Sequence, residues 1–152
     1  MSTLPIIEAF FDEPTNTISY LVADPATRDA AVIDPVLDFD LVSGEVDVRS
    51  AERILTFAAE HGWRIVLVLE THAHADHLSA APFFKAKTGA AIGIGEHIRD
   101  VQKIFRPVFA FDDLPTARTS TGCFAMGSAS PSATWTWKSS TFPAIRLPIS
   151  PI

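Results

Sequence analysis

A chain of 152 residues is the size of one ordinary domain, long enough to bury a core without disulfides or a structural metal. Its 47% hydrophobic and 20% charged residues are the composition of a soluble globular protein, and a net charge of -6 leaves no basic stripe of the kind a nucleic-acid partner demands. No apolar run reaches the length of a membrane span, MSTLPIIEAFFDE carries acids where a signal peptide needs a basic segment, and Cys123 has no second thiol; the expectation is a cytoplasmic protein, off the membrane and without an internal disulfide. PIIEAFF (5 to 11), TISYLVA (17 to 23) and DAAVID (29 to 34) are short, rich in β-branched and aromatic residues, and separated by the turn-forming DEPTN and DPATR. They read as strands, the first two as a hairpin.

Residues 35 to 50, PVLDFDLVSGEVDVRS, hold no sustained period and read as a long loop. SAERILTFAAEHG (50 to 62) then has Ser50 as a cap, Ile54, Leu55, Phe57 and Ala58 on one helical stripe, and Gly62 as a stop. The continuous apolar run RIVLVLE (64 to 70) has the signature of a strand buried on both faces. LSAAPFFKAKTG (78 to 89) reads as a helix stopped by Gly89, AAIGIG (90 to 95) as another buried strand, and EHIRDVQKIF (96 to 105) as a further helix. Strand and helix alternating in this way imply an α/β layer structure with a partly parallel sheet.

Between the central strand and the next helix lies THAHADH (71 to 77), three histidines and an aspartate within six positions. On a strand exit, residues two apart point the same way, so His72 and His74 can present imidazoles to one ion. Asp76 and His77 lie further on, are crowded away from that ion, and are placed to hold a neighbouring one. Mixed imidazole and carboxylate sets suit zinc and iron(II) alike, and the carboxyl end of a central strand is where α/β sheets bind ligands. His61, in the last turn of one helix, and His97, at the start of another, read as surface residues. Asp34 ends a strand before Pro35 and serves equally well as a turn cap or as a carboxylate orienting a metal-bound histidine. Trp63, Phe83 and Phe84 read as packing residues.

The HxHxDH pattern after an apolar strand resembles the metallo-β-lactamase superfamily. FFDEPTNTISYLVADPATRDAAVIDPVLDFD followed by ETHAHADHLSAAPFFK is similar to the branch that holds persulfide dioxygenases and the related glyoxalase II thioesterases, over residues 5 to about 116. The resemblance implies the first half of an αββα sandwich. It implies a divalent metal, iron or zinc, with His72 and His74 in the first metal site and Asp76 and His77 in the second, and a small thiol-derived substrate such as a glutathione persulfide or thioester. It implies further ligands as well, a histidine in a PGHT-like turn and a bridging aspartate. Yet no histidine follows His97 and no acid follows Asp113. No catalytic residue beyond the metal ligands is assigned, and the expectation for the chain in this form is loss of activity, with self-association through the uncovered sheet face.

Character changes near residue 117. Residues 117 to 152 contain no Asp or Glu, against 18 in the first 116, together with 12 Ser or Thr and the only cysteine. A Ser/Thr-rich extension is one reading. A shifted reading frame is the sharper one. Joining the last base of each codon to the first two of the next, Trp135 with Thr136 forces aspartate and Trp137 with Lys138 forces glutamate, while Phe142 through Ser150 permits Pro-Gly-His-Thr-Pro-Ala-Asp-Ile. The expected organisation is therefore the N-terminal half of the domain over 1 to 116 and an irregular, non-family tail over 117 to 152.

Overall fold

The computed structural model describes residues 4–108 and, as backbone only, residues 121–124, 134–136 and 146–148. A mixed six-stranded sheet forms its centre. Its strands are β1 (Ile6–Asp12), β2 (Thr17–Ala23), β3 (Asp29–Ile33), β6 (Arg64–Glu70), β8 (Ala91–Gly95) and β9 (Thr121–Phe124), side by side in that order. β1, β2 and β3 pair antiparallel with one another, whereas β3, β6, β8 and β9 are mutually parallel, which gives the α/β class. The expected hairpin is β1 and β2: Asp12 closes its turn by accepting from the Thr15 amide at 3.1 Å and the Thr15 hydroxyl at 2.6 Å, and Asn16 takes the left-handed conformation at φ 55°.

Helices α1 (Arg49–Glu60) and α2 (Ala81–Thr88) cover one face of this sheet. Alternation along the strands sends Leu21, Ala23, Ala30, Val32 and Val68 to that face, where they meet Ala51, Ile54 and Ala58 of α1 and Phe84 of α2. Phe84 and Ile54 are essentially inaccessible, and burial of side chains of this size stabilises by roughly 1.5–3 kcal/mol each. Of the three packing residues expected, Phe84 lies inside the core, and Trp63 and Phe83 lie against it. The opposite face is also apolar but is not covered to the same extent: Ile7, Phe11, Ile18 and Tyr20 remain between 37% and 60% exposed.

Several boundaries differ from the sequence reading. The stretch expected as a loop holds β4 (Val36–Phe39) and β5 (Val46–Asp47), and residues expected to open α2 form β7 (Leu78–Ser79); together they make a small sheet ordered β5, β4, β7. Strands of two to four residues carry no period, and β4 gains its partner β7 from about forty residues away, so local pattern is silent there. Gly62 and Gly89 do terminate α1 and α2 in left-handed conformation, at φ 68° and 74°. Ser50, expected as a cap, instead lies inside the first turn of α1. Asp38 of β4 takes the capping role, accepting from the Ser50 amide at 2.9 Å and its hydroxyl at 2.8 Å. A third helix, α3 (Ile98–Val108), follows β8 and has no buried residue.

Of the tail, β9 extends the main sheet beside β8, while β10 (Thr134–Thr136) and β11 (Arg146–Pro148) pair antiparallel. These three short strands stand where no period was read. The remainder of 117–152, including Cys123 as a side chain and the FPAIRLPIS stretch apart from β11, lies outside the described residues. Among the described residues no helix is long and apolar enough to cross a membrane.

Candidate metal centre

Parallel pairing of β3 with β6 sets their carboxyl ends side by side, and the Asp34 amide donates to the Leu69 carbonyl at 2.9 Å. Asp34 sits at φ 49°, a left-handed conformation that aspartate tolerates better than most residues. Its carboxylate accepts from the Thr71 amide at 2.7 Å, from the Thr71 hydroxyl at 2.6 Å, and from His74 Nε2 at 2.9 Å. The two roles open for Asp34 in the sequence are thus both filled: it caps the turn that starts the histidine loop, and it orients a histidine.

His74 is nearly buried, and its Nε2 is shared between Asp34 and Glu70, the latter at 3.0 Å. Ionised carboxylate oxygens only accept, so Nε2 is the nitrogen that donates here, and Nδ1 is the one left to act as a ligand when the imidazole is neutral. That Nδ1 is buried, has no hydrogen-bond partner among the described residues, and lies 3.8 Å from Asp76 Oδ1. His77, whose side chain is 1% exposed, has both ring nitrogens buried without a hydrogen bond; its Nδ1 is 3.4 Å from the same Asp76 oxygen, close but not aligned for one. His72 is exposed at the rim, its Nδ1 2.8 Å from the Thr71 hydroxyl and its ring centre 4.3 Å from that of His74. The His74 and His77 ring centres are 4.2 Å apart.

Loop 71–77 therefore folds back upon itself, and His74 stands between two clusters. Potential ligand atoms of Asp34, His72 and His74 lie within 4.8 Å of one another, and so do those of His74, Asp76 and His77. Spacing along the chain groups His72 with His74 and Asp76 with His77; the geometry links the two pairs through His74. His61 and His97 are exposed and apart from this loop, His61 stacked on Trp63 with ring centres 4.8 Å apart and His97 beside Asp100 at 3.3 Å.

The electrostatics suit a cation. Burial and the neighbouring His74 push the His77 imidazole below its ordinary value, which keeps it neutral and able to ligate. Asp76 is held below the usual carboxylate range, first by its own backbone amide and also by His77 and His74. Glu70 is pushed up by burial, against the hydroxyl of Ser79 and the charge of His74. Buried polar atoms ordinarily find partners, and three imidazole nitrogens without them beside an ionised carboxylate fit a divalent metal in donor type and placement. Glu70 is not among the residues expected from sequence, although an acid ending a largely apolar strand just before the histidines is a visible signal.

Residues 13–142 match the family model of the metallo-beta-lactamase superfamily. The chain belongs to that superfamily. Its members bind divalent metals, and the two His/Asp groups are the candidate positions for one here. A beta-lactamase hydrolase-like protein of Agrobacterium fabrum is 44% identical over 115 residues, which is 76% of this chain and 27% of that protein. A hydroxyacylglutathione hydrolase of a Methylobacterium species is 35% identical over 59% of this chain and 29% of its own length, and the mitochondrial persulfide dioxygenase ETHE1 of Bos taurus is 28% identical over 53% and 28%. Among solved structures, ETHE1 from Myxococcus xanthus superposes with a TM-score of 0.50 at 34% identity, covering 58% of this chain and 34% of that one. The chain spans about a quarter of the length of the first curated relatives it matches.

Proposed function

We propose that this chain supplies the first group of metal ligands of a hydrolase or sulfur dioxygenase that acts on a glutathione-type thiol derivative. His72, His74, Asp76 and His77 are the proposed ligands and iron or zinc the proposed metal. The observation that carries the reading is the set of three buried imidazole nitrogens, one on His74 and two on His77, that have no hydrogen-bond partner among the described residues, the two Nδ1 atoms lying 3.8 and 3.4 Å from Asp76 Oδ1. Support for the substrate class comes from relatives named for glutathione and persulfide chemistry.

A bound divalent ion would supply Lewis acidity. The chain's own residues prepare for it: Asp34 and Glu70 hold the His74 ring with Nδ1 inward, burial keeps His77 neutral, and Asp76 provides the negative charge. Which bond is then broken depends on ligands beyond this loop. No histidine follows His97 and no acid follows Asp113 in these 152 residues. In this form the chain is proposed to be inactive, and the second reading is a fragment that binds metal weakly or acts by association through Ile7, Phe11, Ile18 and Tyr20. For residues 117–152 the proposal is a shifted frame, although the family match continues to residue 142. The lack of any acid there and the bases that can encode Pro-Gly-His-Thr support it.

Metal content per chain, measured together with oxygen uptake on glutathione persulfide and hydrolysis of a glutathione thioester, tests the reading. Stoichiometric metal without turnover is expected. Absence of metal after reconstitution with both iron(II) and zinc would sink the metal-centre reading, and turnover would sink the proposed inactivity. Sequencing across codon 116 tests the frame.

A further inference from the structure

Two carboxylates converge on one ring nitrogen of His74, and only one of them is accounted for by the turn it closes. Asp34 is committed to the Thr71 amide and hydroxyl as well as to His74. Glu70 has no such local duty. It is the last residue of β6, its side chain is 9% exposed, and burial of a carboxylate is costly unless its oxygens are used. Both are used. Oε2 accepts from His74 Nε2 at 3.0 Å, and Oε1 accepts from the Ser79 hydroxyl. The Ser79 oxygen in turn accepts from the Ala81 amide at 3.0 Å, the first amide of α2, and Ser79 itself is held against Val36 in the small sheet.

We propose that Glu70 is a positioning residue for the metal centre: braced by Ser79 against the start of α2, it fixes His74 in the Nε2–H tautomer and turns Nδ1 toward Asp76 and His77. The inference rests on the metal-centre reading for its consequence, but the positioning itself is a property of the chain without metal. An imidazole held by one acceptor can pivot about that bond. A second acceptor on the same N–H, approaching from another strand, removes the pivot and excludes the alternative tautomer, in which Nε2 would present a lone pair to two carboxylates. The Glu70 to Ser79 to Ala81 chain also ties β6 to β7 and to the start of α2.

The experiment uses the 152-residue chain with nitrogen-labelled histidine, free of metal, at a pH above the histidine range, and reads the His74 tautomer by NMR. Affinity for cobalt(II) and zinc(II) is then measured against a competing chelator. Wild type is expected to show the Nε2–H tautomer alone. Glu70→Ala should show a mixture and lose about tenfold to a hundredfold in metal affinity. Glu70→Gln, whose amide oxygen still accepts from Nε2–H, should restore the single tautomer. Ser79→Ala should shift both readouts in the same direction as Glu70→Ala, by less. Unchanged tautomer populations in Glu70→Ala overturn the proposal, since Asp34 alone then holds the ring. Should Glu70→Ala fail to fold, Ser79→Ala decides on the same two outcomes. A single tautomer in wild type that becomes a mixture in Glu70→Ala, with neither metal bound by wild type, removes the metal-centre reading and leaves the positioning role standing.

Discussion

The two ends of the β3 and β6 pair make an instructive contrast. At the amino ends, Asp29 and Arg64 face each other in register, and the nearly buried Asp29 carboxylate accepts from Arg64 Nε at 2.9 Å and Nη2 at 2.6 Å. Every charge there has a partner, and most of the guanidinium remains in water. At the carboxyl ends, one strand length away, Asp34 and Glu70 are satisfied, but among the described residues the histidine they hold presents a buried, unpartnered nitrogen, and His77 presents two. The same pair of strands thus ends once in a closed ion pair and once in an open set of donors. Satisfied buried polar groups hold a fold together, whereas unsatisfied ones cost stability and mark a place prepared for something else.

The largest expected effect comes from closing the open end. Zinc at about a hundredfold excess over its Kd should raise the unfolding free energy of the wild-type chain by about 2.7 kcal/mol, and His74→Ala should abolish the shift. Thermal or urea unfolding with and without metal reads it directly. The shift should shrink as pH falls, since protons compete with metal for the imidazoles. Next in size is damage to the closed end. Asp29→Ala removes a nearly buried acceptor but leaves a largely solvated arginine, so a loss of about 1–2 kcal/mol in urea unfolding is expected, with metal affinity unchanged. A change in affinity there would show that the two ends are coupled. The sharpest contrast carries the smallest change in stability. His77→Leu removes two unpartnered buried nitrogens, so the metal-free chain should stay within about 1 kcal/mol of wild type or gain stability, while metal binding is lost. A loss of several kcal/mol in the metal-free protein would mean that those nitrogens are partnered in solution.

Local pattern made much of this molecule legible. The apolar run 64 to 70 is β6, the stripe of Ile54, Leu55 and Ala58 is the buried side of α1, and Gly62 and Gly89 stop their helices because each must adopt a positive φ. THAHADH stands out as a candidate ligand set because three histidines and an aspartate follow directly on an apolar strand. What local pattern could not supply was any partnership across distance. Asp38 caps α1 from another strand, β4 finds β7, and Ser79 braces Glu70; none of these leaves a trace in spacing.

By itself, then, the sequence determined the α/β class, the helix stops and the presence of a histidine loop, since these follow from periodicity and residue type over a few neighbours. Only the tertiary structure decided which atoms of that loop face inward. Parallel pairing of β3 with β6 brings Asp34 and Glu70 to one nitrogen of His74, and that choice of tautomer, made by residues 40 and 4 positions away, turns the other nitrogen toward Asp76 and His77. Hydrogen bonds act over about 3 Å of space whatever the separation along the chain, and a sequence records only the latter.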